Sequence, residues 1–563
     1  MEKDSCRKIA LYWVHTSDLH GSMFMYDDLR NTRTIGGASA IYGYVESLRS
    51  KHPDNIICTD GGDCLQGQPV SYYYNYVNTE SPNIVCSMMN EMHYDAAVIG
   101  NHDIETGHNV YDKWIENCNH PVLAANMVDN ITGEPYLKPY TIIERQGIRI
   151  AILGMVTPTI DNWLPVSLWS GVHFENMVEC AKKWIPVIKE KESPHLIVGL
   201  FHSGLEGGIE SYHGQENSTR LVAENVPGFD LILYGHDHKH AVNTYRCAAN
   251  GKRVLTAAPT SCGSRIVEVK ILLTIKENKV VGKKMFARTP PVDGSVHPDS
   301  ILLEMEYDND RREALEWLNE EIGELSEDLH EKDAYFGPCP FISLIHQLQL
   351  EYSKADISFA APLSFDSVLH KGKITVRDMF NLYRYENYLY TLRLSGEEIK
   401  NILELSYDRW VNTMTSPDDH IMRLAYVLNN GTRLGFENLA FNFISAGGIK
   451  YAVDVTKPFG EKVCITELLD GTPFCLDKEY RVAVNSYHGN GGGELATKGA
   501  GMDKAELQKR IITETSIDLR KIFIRRIKEI KYITPSACAQ WHFEPTNWTE
   551  QALIRDKQIL FRV

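Results

Sequence analysis

No run of about 18 consecutive apolar residues occurs anywhere in the 563-residue chain, so no segment reads as a membrane span. Basic charge is not in excess either: 58 Lys and Arg against 74 Asp and Glu leave a net charge of −16. That balance excludes a protein that binds polymeric nucleic acid through a broad basic surface. It does not exclude a small phosphate-bearing ligand, because a bound metal supplies positive charge locally. Twelve cysteines are scattered without a Cys-x-x-Cys pair, which disfavours a structural zinc site. Cys58, Cys64 and Cys262 lie in or beside apolar runs, as small core residues do. No secretory leader precedes the first apolar run at Ile9, which fits a cytosolic protein or a mature form. The sequons at Asn130, Asn217, Asn430 and Asn547 carry weight only in a secretory setting. Internal repeats and low-complexity tracts are also lacking.

What is present is an ordinary globular composition, 43% hydrophobic and 23% charged, in a chain long enough for two or three domains. From Ile9 onward, short β-branched runs alternate with amphipathic or loop segments: 9–14, 56–58, 96–99, 122–124, 148–155, 196–201, 231–234 and 254–257. Nearly continuous apolar runs of that length predict strands buried on both faces, and residues 8–290 read as a layered α/β domain. Pro290-Pro291 and Pro298 mark a break. Leu303, Leu315, Leu318, Ile322 and Leu325 then stand near helical spacing, which predicts one acidic amphipathic helix over 301–329 within a helical linker, 291–332. A second mixed domain spans 333–530, and a Trp- and Pro-bearing tail, 531–563, has no assigned role.

Five of the early runs end in polar residues: Asp18-x-His20, Gly62-Asp63, Gly100-Asn101-His102, His202, and Gly235-His236-Asp237-His238. Rims of open sheets are where α/β proteins keep their ligands. If these strands are neighbours, two Asp, one Asn and four His meet there. Such oxygen and imidazole donors suit Zn, Mn, Fe or Co. Seven donors exceed one tetrahedral ion and suit two divalent ions about 3.5–4 Å apart. Asp63, standing after two glycines that let backbone crowd the site, is the natural bridge. A lone His at a strand end is usually only a polar residue, and Gly-Asp is often only a turn; five such endings in order make coincidence a poor account. His93, His108, His240 and His488 lack the pattern.

The ordered set resembles the calcineurin-like dinuclear metallophosphoesterases. The resemblance implies a four-layered αββα sandwich, with Asp18, His20, Asp63 and His238 on one ion and Asp63, Asn101, His202 and His236 on the other. Paired ions of that kind activate water and neutralise a phosphoryl group. His102 follows a ligand directly and faces the substrate side, where it would stabilise the transition state or protonate the leaving oxygen. Glu105, three residues on, would orient that imidazole, although the nucleotidase relatives commonly place Asp there.

Two Gly-rich segments, Phe441–Gly448 and Asn485–Gly493, each set an aromatic residue before glycines. They resemble the base-binding loops of the 5′-nucleotidase family, whose second α/β domain binds substrate, and Phe443 and Tyr487 fall on its aromatic clamp. The stretch Asp356–Leu363 lacks the family's Asn-Gly-Gly-Gly-x-Arg. Together with Leu382–Asn387 it looks more like the 2′,3′-cyclic-nucleotide 2′-phosphodiesterase/3′-nucleotidase branch. The implied activity is hydrolysis of nucleotide phosphate esters. Alternatives are a 5′-nucleotidase or nucleotide-sugar hydrolase and, from another class, a non-catalytic nucleotide-binding protein. The family also implies a periplasmic or extracellular setting.

Overall fold

Twelve strands form the two large sheets of the first half of the protein. They are β1 (Arg7–Thr16), β2 (Ile56–Asp60), β3 (Ala96–Val98), β4 (Val122–Leu123), β5 (Tyr140–Arg145), β6 (Ile148–Val156), β7 (Leu196–His202), β8 (Leu231–Tyr234), β9 (Ala241–Arg246), β10 (Arg253–Ala258), β11 (Val267–Lys276) and β12 (Lys279–Arg288). The computed structural model describes residues 6–365, 367–427, 433–535 and 539–561, so the sequon at Asn430 lies outside the described residues. The chain divides into two units, Met1–Trp317 and Leu318–Val563.

In the first unit the strands form two six-stranded sheets, ordered β12-β11-β1-β2-β3-β4 and β9-β10-β8-β7-β6-β5. β1 through β4 pair in parallel, as do β6, β7, β8 and β10. Leu11, Trp13, Ile57 and Val98 of one sheet and Ile150, Val198, Leu200 and Leu233 of the other belong to one buried cluster, so the sheets pack face to face. On the outer face of the second sheet, Ile197, Phe201, Ile232 and Tyr234 meet Met177, Ala181 and Ile188 of helix Met177–Glu192. Helices Ala38–Lys51 and Ile84–Glu91 close the other side with buried Ile41, Val45, Val85 and Met88. The result is an αββα sandwich. Strands covered on both faces have no need of alternation, which is why their sequences read as unbroken apolar runs.

The single helix expected over 301–329 is replaced by two helices, Pro298–Glu306 and Asp308–Leu318, and a strand, Glu321–Leu325. Ile322 and Leu325 are buried in that strand, and a short apolar run does not by itself separate helix from strand. Neither helix is a free connector. A Cβ on Gly43 would lie 2.2 Å from Ser300 Oγ, the Tyr73 hydroxyl donates to Glu313 at 2.8 Å, and Tyr72 stacks on Trp317 at 5.8 Å. Both helices therefore pack on the first unit.

The second unit has a five-stranded sheet in the order Ser445–Gly447, Ile357–Ala360, Glu479–Asn485, Tyr388–Ser395, Ile511–Asp518. The segment after residue 531 is part of this unit's structure. Tyr532–Ile533 pairs with Glu324–Leu325, and Gln540–Glu544 runs parallel to Lys450–Asp454. Trp541 is buried and stacks on Tyr451 at 5.8 Å. Trp541→Ala is expected to destabilise the second unit by about 3–5 kcal/mol, read as a lower denaturant midpoint; an unchanged midpoint would make the segment an ornament.

Candidate active site

The parallel strands deliver their carboxyl ends to one place. β1, β2 and β3 of one sheet and β7 and β8 of the other stop there, and the residues that follow turn inward. Asp63 Oδ2 lies 3.1 Å from His202 Nε2, which is 3.0 Å from Asn101 Oδ1 and 3.3 Å from His236 Nδ1. His20 Nε2 faces His238 Nε2 at 3.0 Å, and His238 Nε2 is 3.4 Å from Asp18 Oδ1. The backbone N–H of His236 donates to Asp18 at 3.0 Å, tying the two clusters together. All seven residues singled out from the sequence thus converge. The donor atoms of Asp18, His20 and His238 lie within 4.8 Å of one another, and so do those of Asp63, His202 and His236.

Reaching that arrangement takes unusual backbone. Asp18, His20, Asp63, His236 and His238 have φ of 55°, 48°, 58°, 85° and 57°, in the left-handed region that costs an L-residue about 1–2 kcal/mol. Flanking glycines leave room for the carboxylates. A Cβ on Gly100 would sit 2.1 Å from Asp63 Oδ1, and one on Gly235 would sit 1.7 Å from Ser17 Oγ and 2.5 Å from Asp18 Oδ2.

Three of the imidazoles are oriented through their outer nitrogens. His202 Nδ1 donates to Gly61 O at 2.6 Å and His20 Nδ1 to Gln66 O at 3.0 Å; a carbonyl can only accept. Each Nε2 is then left turned toward the cluster, as in a ligating histidine. His236 presents Nδ1 inward because Nε2 is held by Glu216 Oε1 at 2.9 Å. Burial lowers His20 to about 4, although Asp63 and Asp18 pull it upward. His202 is pulled down by burial too, but the Asp63 and Asp18 carboxylates lift it to about 9. Burial would raise Asp63, yet the His202 and His102 charges hold its carboxyl well below the ordinary range. Two buried carboxylates with imidazole nitrogens 3.1 Å from Asp63 and 3.4 Å from Asp18 form a donor set that fits hard or borderline divalent cations.

His102 sits edge-on to His20, ring centres 5.3 Å apart, and its Nδ1 bonds Glu105 Oε2 at 2.6 Å. Burial opposes its protonation, but Asp63 and the Glu105 hydrogen bond raise it to about 10. Its backbone N–H donates to Asp63 Oδ1 at 2.8 Å.

In the second unit Phe443 and Tyr487 do not face one another. Phe443 is fully buried, stacked on Trp410 at 5.3 Å and 6° and edge-on to Phe436; it is a core residue and cannot line a slot. Phe441, two residues earlier, is the half-buried one and meets Tyr487 edge-to-face at 5.9 Å. Tyr385 completes the group at 6.4 Å from Phe441.

Residues 13–240 match the family model for calcineurin-like phosphoesterases, and residues 321–498 match that for the 5′-nucleotidase C-terminal domain. The chain joins these two domain families and is a phosphoric ester hydrolase. It is 25% identical to the Bacillus subtilis trifunctional nucleotide phosphoesterase protein YfkN over 97% of its own length, spanning 40% of that longer protein. It is 23% identical to the Yersinia enterocolitica 2′,3′-cyclic-nucleotide 2′-phosphodiesterase/3′-nucleotidase, covering 97% of this chain and 90% of that one. A Staphylococcus aureus structure described as a 5′-nucleotidase shares the fold, with a TM-score of 0.76 at 21% identity over 95% of this chain and 100% of that one.

Sequence reasoning passed over Asp103 and Glu216. Buried Asp103 accepts four backbone N–H bonds at 2.8–2.9 Å, from Asp63, Cys64, Leu65 and Gly100, and so clamps the Gly-Asp turn to the Gly-Asn-His turn. The acidic residue directly after Asn-His was the available signal. Glu216 lies in a short hairpin with no motif around it. Asp103→Ala orphans four donors and is expected to cost at least about 3 kcal/mol of first-unit stability, measured by denaturant unfolding.

Proposed function

We propose that the first unit holds two divalent cations, Mn, Zn or similar. Asp18, His20, Asp63 and His238 would hold one, and Asp63, Asn101, His202 and His236 the other. The proposed reaction is hydrolysis of nucleotide phosphate esters, foremost of 2′,3′-cyclic and 3′-nucleotides. The observation that carries this reading is the pair of inward-facing donor groups, Asp18/His20/His238 and Asp63/His202/His236. Bound cations supply charge for the phosphoryl oxygens and lower the pKa of a water.

The chain's own residues do the rest. The backbone N–H of His102 and the carbonyls of Gly61 and Gln66 fix the directions of Asp63, His202 and His20. Glu105 holds the Nδ1 proton of His102, leaving Nε2 as the atom that passes a proton to the leaving oxygen. In the second unit, Tyr487 with Phe441 and Tyr385 offers aromatic faces to a base, and such stacking is worth about 1–3 kcal/mol per base. The cyclic and 3′-phosphate preference is supported by the relatives' names and by the missing arginine in Asp356–Leu363.

Release of phosphate should be measured with added Mn or Zn on 2′,3′-cyclic AMP, 3′-AMP, 5′-AMP and an aryl phosphate. The first two should be turned over fastest. Equal rates on all four would remove the base site, and no release from any would leave a nucleotide-binding protein. His102→Ala should lower kcat by about 10²–10⁴-fold while metal content stays unchanged; loss of metal would make His102 structural.

A further inference from the structure

Helix Ile84–Glu91 begins under an Asn83 cap, which accepts from Val85 N and Cys86 N. Helix His108–Asn117 ends at Cys118, its C-terminal cap residue. The two helices bring these cysteines together, Sγ to Sγ at 3.8 Å. Cys86 is buried, and its sulfur is further approached by Asn90 Nδ2 at 3.6 Å. Cys118 is half-exposed. Cys86 also lines a cavity of about 340 Å³ between the two helices, with Asn90, Lys113 and Trp114.

We propose that Cys86 and Cys118 form an intramolecular disulfide when the protein meets an oxidising thiol–disulfide couple. Disulfide sulfurs lie about 2.05 Å apart, so each sulfur need move only about 0.9 Å along the line that already joins them. Among the described residues, no other two cysteine sulfurs face each other within hydrogen-bonding distance. The chemistry balances with a low-molecular-weight disulfide as oxidant. One thiolate attacks that disulfide, forming a mixed disulfide and releasing one small thiolate. The second cysteine, losing its proton to solvent, attacks the protein-side sulfur and displaces the other small thiolate. Two electrons pass from the cysteine pair to the oxidant. The Cys118 hydrogen bond, helped by Asn90, lowers the pKa of Cys86 against the opposing effect of burial, which favours it as an attacking group.

The bond would close a segment that contains β3 together with Asn101, His102 and Glu105. Cross-linking so long a segment restricts the unfolded chain, so the first unit should melt at a higher temperature when oxidised.

The test uses the full chain, incubated with oxidised glutathione or with dithiothreitol, alkylated, digested without reduction and mapped by mass spectrometry. A Cys86–Cys118 linked peptide pair, 2 Da lighter than the sum of the reduced peptides, is expected only in the oxidised sample. Its melting midpoint should lie several degrees higher, a shift absent from Cys86→Ser/Cys118→Ser protein. Alkylation of both cysteines after glutathione treatment would overturn the proposal, and so would linkage of either one to a different cysteine or only to glutathione. The mapping on unmodified protein decides the matter even if the variant folds poorly.

Discussion

Two carboxylates, Asp18 and Asp63, are buried where two β-sheets end together, and the surrounding structure answers the cost of keeping them charged. An ionised carboxyl without partners in such a place is penalised by several kcal/mol. The site meets this with backbone N–H groups from His102 and His236 and with imidazoles whose open nitrogens point inward. It leaves a remaining demand for positive charge, seen in the elevation of His202 and His102. A donor set poised in this way is complementary to cations, which would meet that demand without recruiting protons.

The sandwich makes the arrangement possible by ending five parallel strands at one rim. Apolar packing between the sheets, with Trp13, Ile57, Val198 and Leu233 at its centre, provides the favourable free energy. The left-handed turns at Asp18, His20, Asp63, His236 and His238 draw on it. Asp103 is the structural counterpart of that strain. By accepting four N–H groups at once it leaves the two turns little freedom to relax, and it positions Asp63 without being directed at a substrate.

Much of this was legible in the residues, for reasons that also explain the misses. Buried parallel strands advertise themselves as continuous apolar runs, so β1, β7 and β8 and their polar endings could be read directly. In the second unit the helix beginning at Gly396 starts on a Ser395 cap with Glu398 three residues on, a start signal carried by the residues themselves. The helix expected over 301–329 failed because residues 319–325 keep a helical spacing by chance while Gly323, with no room for a Cβ beside Ile527, sits in a strand. Phe443 was taken for a binding ring because it falls before the glycines on the position that the resemblance assigns to the aromatic clamp. Only packing separates Phe443, stacked on Trp410, from the half-buried Phe441. The final segment carries no motif because its role is pairing at the sheet edge and filling the core beside Tyr451, a property of tertiary context.

Charge gathers in the first unit, and a cluster of aromatic rings in the second. The central claim concerns the first. Elemental analysis of the purified chain, reconstituted with Mn and freed of loose metal by gel filtration, addresses it without reference to any substrate. The account predicts about two equivalents retained per chain and loss of both on Asp63→Asn. Protein that retains no metal above background, or an Asp63→Asn variant that keeps both equivalents, would contradict it.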